Sequence, residues 1–297
     1  MNYTEFKEIM IEQIIKSFPE YEIKINKVNK NNNVELTAVN FIIPGAVGCP
    51  SVYLENLYNI YNTEKSFEKI IAQISESIKT PFNFIPQLES VFEFDKCKDL
   101  IKLRLINKDM NESTLKTVPH LLFMDLAIVC YCELNSGTFT VSDKMLNYWD
   151  VEAEELFEIA KKNMKKEKYK LFDAMSFEDF FIPDKSGFAN FLSENKSKLG
   201  NAIMIAGTNI CGVYGSNILL NDDYLDLIAE IFDESFYIIP SSVNECLFIK
   251  KSFTKSSDDL KRTLIAGNRN EFIVSKDEVL SDNIYFYNKS LNILSLV

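Results

Sequence analysis

The chain has 297 residues, 46% of them hydrophobic and 12% aromatic, and a formal net charge of −11. A folded chain of this length buries roughly 75% of the surface its unfolded form exposes, so the composition supplies a core and excludes a disordered protein. The acidic balance excludes broad adhesion to nucleic acid or anionic membranes, because binding to phosphates needs concentrated Lys and Arg.

Thr4 is placed to cap a first helix, whose apolar positions Phe6, Ile9, Met10, Ile14 and Ile15 follow a 3.6-residue period until Pro19 ends it. Residues 22–28 and 34–43 alternate polar and apolar around Asn29-Lys30-Asn31-Asn32-Asn33. Asparagine tolerates positive φ, so the pattern predicts a β-hairpin. Pro44-Gly45 and Gly48-Cys49-Pro50 predict a loop, with a helix starting at Ser51 and carrying Tyr53, Leu54, Leu57, Tyr58 and Tyr61. A second helix over 66–78 sets Phe67, Ile70, Ile71, Ile74 and Ile78 on one face. Pro81 and Pro86 bound a breaker stretch. A short helix over 95–98 and a strand over 101–107 follow, and 109–119 reads as loop or short helix.

The apolar segment 121–134 contains a strand over 126–134, and Asn135-Ser136-Gly137 turns the chain into a second strand at 138–142. Asp143 then opens a helical region centred on 151–166. Residues 172–191 are aromatic-rich and ambiguous. Residues 202–206 and 213–220 read as a β-hairpin around a glycine-punctuated turn, with Asn221 capping a helix over 222–232. Strands at 236–239 and 243–250, a helix over 256–267 stopped by Gly267, and a strand at 283–287 complete the chain. The order strand, glycine turn, strand, Asp, helix thus occurs twice, over 126–160 and 202–232. It is either a diverged repeat or convergent ββα grammar. The predicted fold is α+β with mainly antiparallel sheets, because the hairpins alternate rather than run continuously apolar. It divides into two closely packed lobes, 1–120 and 121–297.

Several stretches imitate known chemistry. Gly207-Thr208-Asn209-Ile210-Cys211-Gly212-Val213-Tyr214-Gly215 lacks the Lys-Ser/Thr and following helix of a phosphate loop, so it reads as a hairpin turn or bulge. Asp222, Asp223 and Asp226 have a spacing that can hold Mg²⁺, but acids in a first helical turn are favoured by the helix dipole alone. Ser193…Lys196, Ser252…Lys255 and Ser281-Asp282-Asn283 match fragments of a penicillin-binding signature whose third element is absent. The run Lys161-Lys162-Asn163-Met164-Lys165-Lys166-Glu167-Lys168 is basic because it ends a helix. Glu93 and Asp95 read as a solvated acidic face. Cys130 and Cys132 lie two apart on a strand and read as buried thiols.

His120 is the sole histidine, which excludes mechanisms needing two. It stands before an apolar run, where a hydrogen-bonded structural imidazole is the commoner role. Pro240-Ser241-Ser242-Val243-Asn244-Glu245 is the densest polar spot between two apolar runs, and it sits at a strand end where functional loops are carried. Ordinary turn chemistry explains the same residues. No cofactor and no metal set is indicated. The six cysteines follow no disulfide framework, the N-terminus lacks a secretory pattern, and no apolar run reaches about 18 residues. These features predict a cytoplasmic protein with reduced thiols, off the membrane.

Three phrases carry a resemblance: Val118-Pro119-His120 with Asp125-Leu126-Ala127-Ile128-Val129, then 237–245, then Val279-Leu280-Ser281-Asp282-Asn283-Ile284-Tyr285. Together with the opening helix, the Lys30-Asn31-Asn32 turn and Tyr53-Leu54-Glu55, they resemble a bacterial, mainly clostridial family known as domain of unknown function 5688. The resemblance spans nearly the whole chain and implies no activity. It implies a histidine before the glutamate of the 240–245 turn, where this chain has Asn244. A His–Glu proton-transfer pair, if relatives use one, therefore lacks its base here.

Two functional expectations follow. The first is a non-enzymatic interaction or accessory protein, of a kind used by mobile elements or host defence, with an acidic surface suited to a protein partner. The second is a hydrolase or transferase whose site gathers His120, Ser241, Ser242 and Glu245, with Asn244 as a binding residue.

Overall fold

The computed structural model describes residues 1–43, 49–79, 92–134, 137–173, 176 and 178–297. The loop expected at 44–48, the breaker stretch 81–86 and the turn residues 135–136 lie outside the described residues. The fold is α+β, with strands paired antiparallel throughout. Two compact units are present: 1–97 with 134–138, and 98–133 with 139–297. The sequence-based boundary stood at residue 120.

In the first unit, β1 (Glu22–Asn29), β2 (Glu35–Ile42) and β3 (Ser51–Tyr53) form a sheet in that order. The hairpin turn has Asn32 and Asn33 at φ 60° and 54°, the left-handed conformation their side chains tolerate. Helices Tyr3–Ser17, Leu54–Glu64 and Phe67–Lys79 bury Phe6, Met10, Leu54, Ile70 and Ile74 against Val39 and Phe41 of β2. Two details depart from expectation. Asn2, not Thr4, caps the first helix, because its side chain accepts from Glu5 N–H while Glu5 reaches back to Asn2 N–H. Ser51 starts β3 rather than a helix, because it pairs with Asn40 before the chain turns helical at Leu54.

The second unit holds a seven-stranded sheet, ordered β14-β13-β11-β12-β10-β8-β9. Its strands are β8 (Tyr169–Asp173), β9 (Asp179–Phe181), β10 (Met204–Asn209), β11 (Phe236–Ile239), β12 (Cys246–Lys250), β13 (Tyr285–Asn288) and β14 (Ile293–Leu296). Side chains alternate across it, as strand geometry requires. Phe236, Ile238 and Phe248 join the main core with helix Asp222–Phe232, whereas Ile239 and Ile249 pack with Leu264 of helix Ser257–Asn268. The sheet is thus covered on both faces.

The expected strand over 213–220 is a 3₁₀ segment, Gly215–Leu220, and β10 takes β8 and β12 as its partners instead. The second half of the supposed ββα repeat is therefore strand, 3₁₀, helix. Its apolar run Ile218-Leu219-Leu220 imitates a strand, but Ile218 and Leu219 are buried in the main core from a tight helical turn. Gly207, expected in a turn, lies within β10, where a Cβ would stand 2.7 Å from the Phe248 ring. The ambiguous 172–191 region resolves into the end of β8, then β9, a short 3₁₀ turn and the start of helix Phe188–Leu199.

A second sheet belongs to this unit apart from residues 134, 137 and 138: β4 (Ile101–Asn107), β6 (Leu126–Leu134) and β5 (His120–Phe123), in that order, with β7 (Gly137–Thr140) also pairing β6. Val129, Cys130, Tyr131 and Cys132 are all fully buried, which accounts for the unbroken apolar run of β6. Helix Ala153–Met164 is fixed to this region by Asn163, whose side-chain amide donates to the Lys98 and Ile101 carbonyls at 2.8 and 2.9 Å. Its last turn carries Lys161 and Lys162, the helix-end cations expected from the basic run.

Candidate functional site

The 240–245 turn closes the hairpin between β11 and β12. Ser242 Oγ accepts from Asn244 N–H at 3.0 Å, and Ser241 Oγ donates to the Glu245 carbonyl and carboxylate, both at 3.3 Å. Asn244 is used at every polar atom. Its Oδ1 accepts from Tyr214 N–H at 3.1 Å, its Nδ2 donates to Glu278 at 3.0 Å, and its carbonyl accepts from Thr208 Oγ1 at 2.7 Å. Val243 adds two ties: its N–H donates to the Glu278 carbonyl at 2.8 Å, and its carbonyl accepts from Ser216 Oγ at 2.8 Å. The turn therefore works as a latch among three chain segments. A hydroxyl nucleophile needs a base and an approach path, whereas these hydroxyls are held by their own turn.

His120 begins β5, opposite Val129 of β6, and is exposed. Its Nδ1 lies 3.0 Å from the Val118 carbonyl, a bond made by the Nδ1–H tautomer. Two open grooves flank it. One, of 520 Å³, includes Leu115, Val118, Leu121 and Phe157; the other, of 340 Å³, includes Leu115 and Leu122. The 240–245 turn lines neither groove. His120 and the Ser241, Ser242, Glu245 group thus occupy separate polar settings, and the hydrogen bonds of each stay within its own.

Two constellations escaped the sequence reading. Asp125, at the tip of the β5–β6 hairpin, accepts from Ser281 Oγ at 2.5 Å and Asn283 Nδ2 at 3.0 Å on one oxygen, and from Tyr285 OH at 2.7 Å on the other. Two of the phrases that carry the family resemblance meet here. Burial and the Asp125 charge both push the Tyr285 phenol well above its ordinary pKa, so it remains a donor.

The other constellation surrounds Glu167, whose side chain is 4% exposed. Its carboxylate accepts from Asn217 Nδ2 at 2.8 Å, Asn209 Nδ2 at 3.1 Å, Tyr169 OH at 3.2 Å and Lys102 Nζ at 3.4 Å. Lys102 also reaches Glu133 at 2.6 Å. Burial alone would lower the Lys102 pKa, but its bond to Glu133 and the charges of Glu167 and Glu133 hold it above the ordinary lysine value. Burial, reinforced by Glu167, drives the Tyr169 phenol far up. Beside this network, Arg104 stacks on the Tyr214 ring at 4.6 Å and donates to Thr140 Oγ1 at 2.6 Å. The only sequence signal for this cluster was one glutamate inside a lysine run, directly before an aromatic strand.

The remaining candidates have structural settings. Asp222 and Asp223 lie in the first turn of their helix, Asp223 pairs with Lys185 at 2.6 Å, and Asp226 accepts from Tyr287 OH. Asn221 caps that helix with its carbonyl rather than its side chain. Burial pushes the Cys130 and Cys246 thiols up, which keeps them protonated. Among the described residues, no group of three or more His, Cys, Asp or Glu stands ready to hold a metal ion. None of the described helices is long and apolar enough to cross a membrane.

Comparison with known proteins bears on residues 3–289, which match the model of a family described as a family of unknown function, DUF5688. No curated protein and no solved structure matches the chain.

Proposed function

We propose that this chain, which belongs to the DUF5688 family, is a non-enzymatic interaction protein whose partner docks at the exposed edge of β5. The observation that carries this reading is the state of two neighbouring leucines. Consecutive strand residues point to opposite faces, yet Leu121 is 40% and Leu122 68% exposed, so both faces of β5 leave apolar surface open there. Apolar side chains beside open grooves mark interaction surfaces. The hydroxyls, amide and carboxylate of the 240–245 turn support the same reading from the other side, because their bonds hold the fold together.

The competing reading is a hydrolase or transferase acting through Ser241 or Ser242. A fluorophosphonate probe, which labels activated serines, separates the two when combined with crosslinked capture from the native host. The expected result is no label on Ser241 or Ser242. One partner should also be recovered by the wild type and by Glu245→Gln, and lost with Leu122→Glu. Label that disappears in Ser241→Ala or Ser242→Ala, or a partner retained by Leu122→Glu and lost by Glu245→Gln, would overturn the proposal.

A further inference from the structure

The β5 edge also specifies how a partner binds and what chemistry it carries, an inference that rests on the interaction reading above. In the sheet order β4-β6-β5, β5 is terminal among the described strands. Phe123 pairs with Leu126 across the two-residue tip Met124-Asp125, with Met124 at φ 55°. A two-residue hairpin is closed by a hydrogen-bonded pair, and such pairs alternate with non-bonded ones along an antiparallel ladder. Leu121 therefore bonds inward to β6, while His120 and Leu122 turn their N–H and C=O groups outward. An edge with two outward peptide units and exposed leucines is a template for an added strand.

Charge selects the strand. The groove on the Leu121 side is edged by Asp143, Glu154 and Glu158 against Lys161, and Lys161 is bonded to Glu158 at 2.9 Å. Asp143 and Glu154 remain there without a cation from the groove. On the Leu122 side, Asp109 and Glu112 are balanced by Lys108 and Lys116. A second copy of the chain would bring the same carboxylates and another charge of −11 to this edge. We infer that β5 receives an extended segment of a partner protein as an added strand, its apolar side chains on the Leu122 face and its basic ones on the Leu121 face, toward Asp143 and Glu154.

The probe is a fluorescein-labelled, end-capped octapeptide of alternating lysine and valine, titrated by anisotropy into the full chain. Saturable binding is expected, at least tenfold weaker for the version with glutamate in place of lysine. It should also be weakened at least tenfold by Leu122→Glu. That substitution adds a negative charge, so non-specific attraction to an acidic protein would instead strengthen binding. Leu122→Pro removes an outward N–H without touching the ladder to β6 and should weaken binding similarly, with the unfolding midpoint checked for both variants. Asp143→Asn with Glu154→Gln should weaken binding severalfold and flatten its salt dependence.

Equal binding of the two peptides, or binding that survives Leu122→Glu, would overturn the inference. So would a concentration-dependent dimer, abolished by Leu122→Glu, in a chain that ignores the peptide. That last outcome would leave the interaction reading standing with a different occupant. By contrast, serine labelling at the 240–245 turn would defeat the interaction reading itself.

Discussion

Replacing Gly215 with alanine is expected to destabilise the second unit by about 3 kcal/mol, at the upper end of overpacking effects. A Cβ there would stand 2.5 Å from Asn209 N and 2.6 Å from the Asn244 carbonyl oxygen, and would overlap Thr208 Oγ1. Two of those atoms are backbone, so no rotamer change relieves the clash. Thr208 and Asn244 are already joined at 2.7 Å, which pins the walls of the gap together. Thermal or urea unfolding followed in the second unit measures the effect. Gly267→Ala is the natural control, because that glycine lies within helix Ser257–Asn268 with nothing near its missing Cβ. It should be neutral or stabilising by roughly 0.5–1 kcal/mol. Equal effects at the two positions would contradict the latch.

Glu167→Ala is expected to cost about 3–5 kcal/mol, the range for removing one partner of a buried, hydrogen-bonded charge pair. Asn209 and Asn217 would each leave one amide hydrogen unmet and the Lys102 ammonium would lose one of its two carboxylates, while the Tyr169 hydroxyl would fall back on Asn217 Oδ1 at 2.9 Å. Lys102 keeps Glu133, which holds the loss below that of a stranded buried cation. Asn217 keeps its bond to the Leu103 carbonyl at 3.0 Å, so it stays in place while its other amide hydrogen goes unmet. Urea unfolding gives the value. A double-mutant cycle with Tyr169→Phe should show coupling of more than about 0.5 kcal/mol between the two positions. A Glu167→Ala variant within about 1 kcal/mol of wild type would mean the cluster is wet and weak rather than a buried hub.

The elements most legible in the sequence were those whose pattern is local. Strands 101–107, 126–134 and 236–239 stand where expected, because each is an apolar or alternating run with clear boundaries. The 213–220 segment misled because three apolar residues in a row satisfy a strand and a buried 3₁₀ turn equally well. Helix Phe188–Leu199 stayed hidden because Phe191 and Leu199 are its only buried positions. The site was less legible for a different reason. Asp125 depends on residues 281, 283 and 285, and Glu167 on 102, 209 and 217, separations that no periodicity encodes. Glu167 was absorbed into a helix-end charge run, although helix Ala153–Met164 stops three residues before it. The 240–245 turn drew notice for its polar density, and that density serves bonds to Thr208, Tyr214, Ser216 and Glu278. The leucines of β5 drew little, because a run such as Leu121-Leu122-Phe123 looks like core until a structure leaves its edge open.

His120 supplies the most direct test of the claim that β5, and not the 240–245 turn, is the working surface. As the sole histidine, it gives one imidazole Cε1–H resonance that reports on the two grooves beside it. Titration with the lysine-valine peptide should move that signal along the same saturation curve as the anisotropy, and shift the amides of residues 121–123 with it. An imidazole signal that stays still while the amides of 241–245 move would contradict the account.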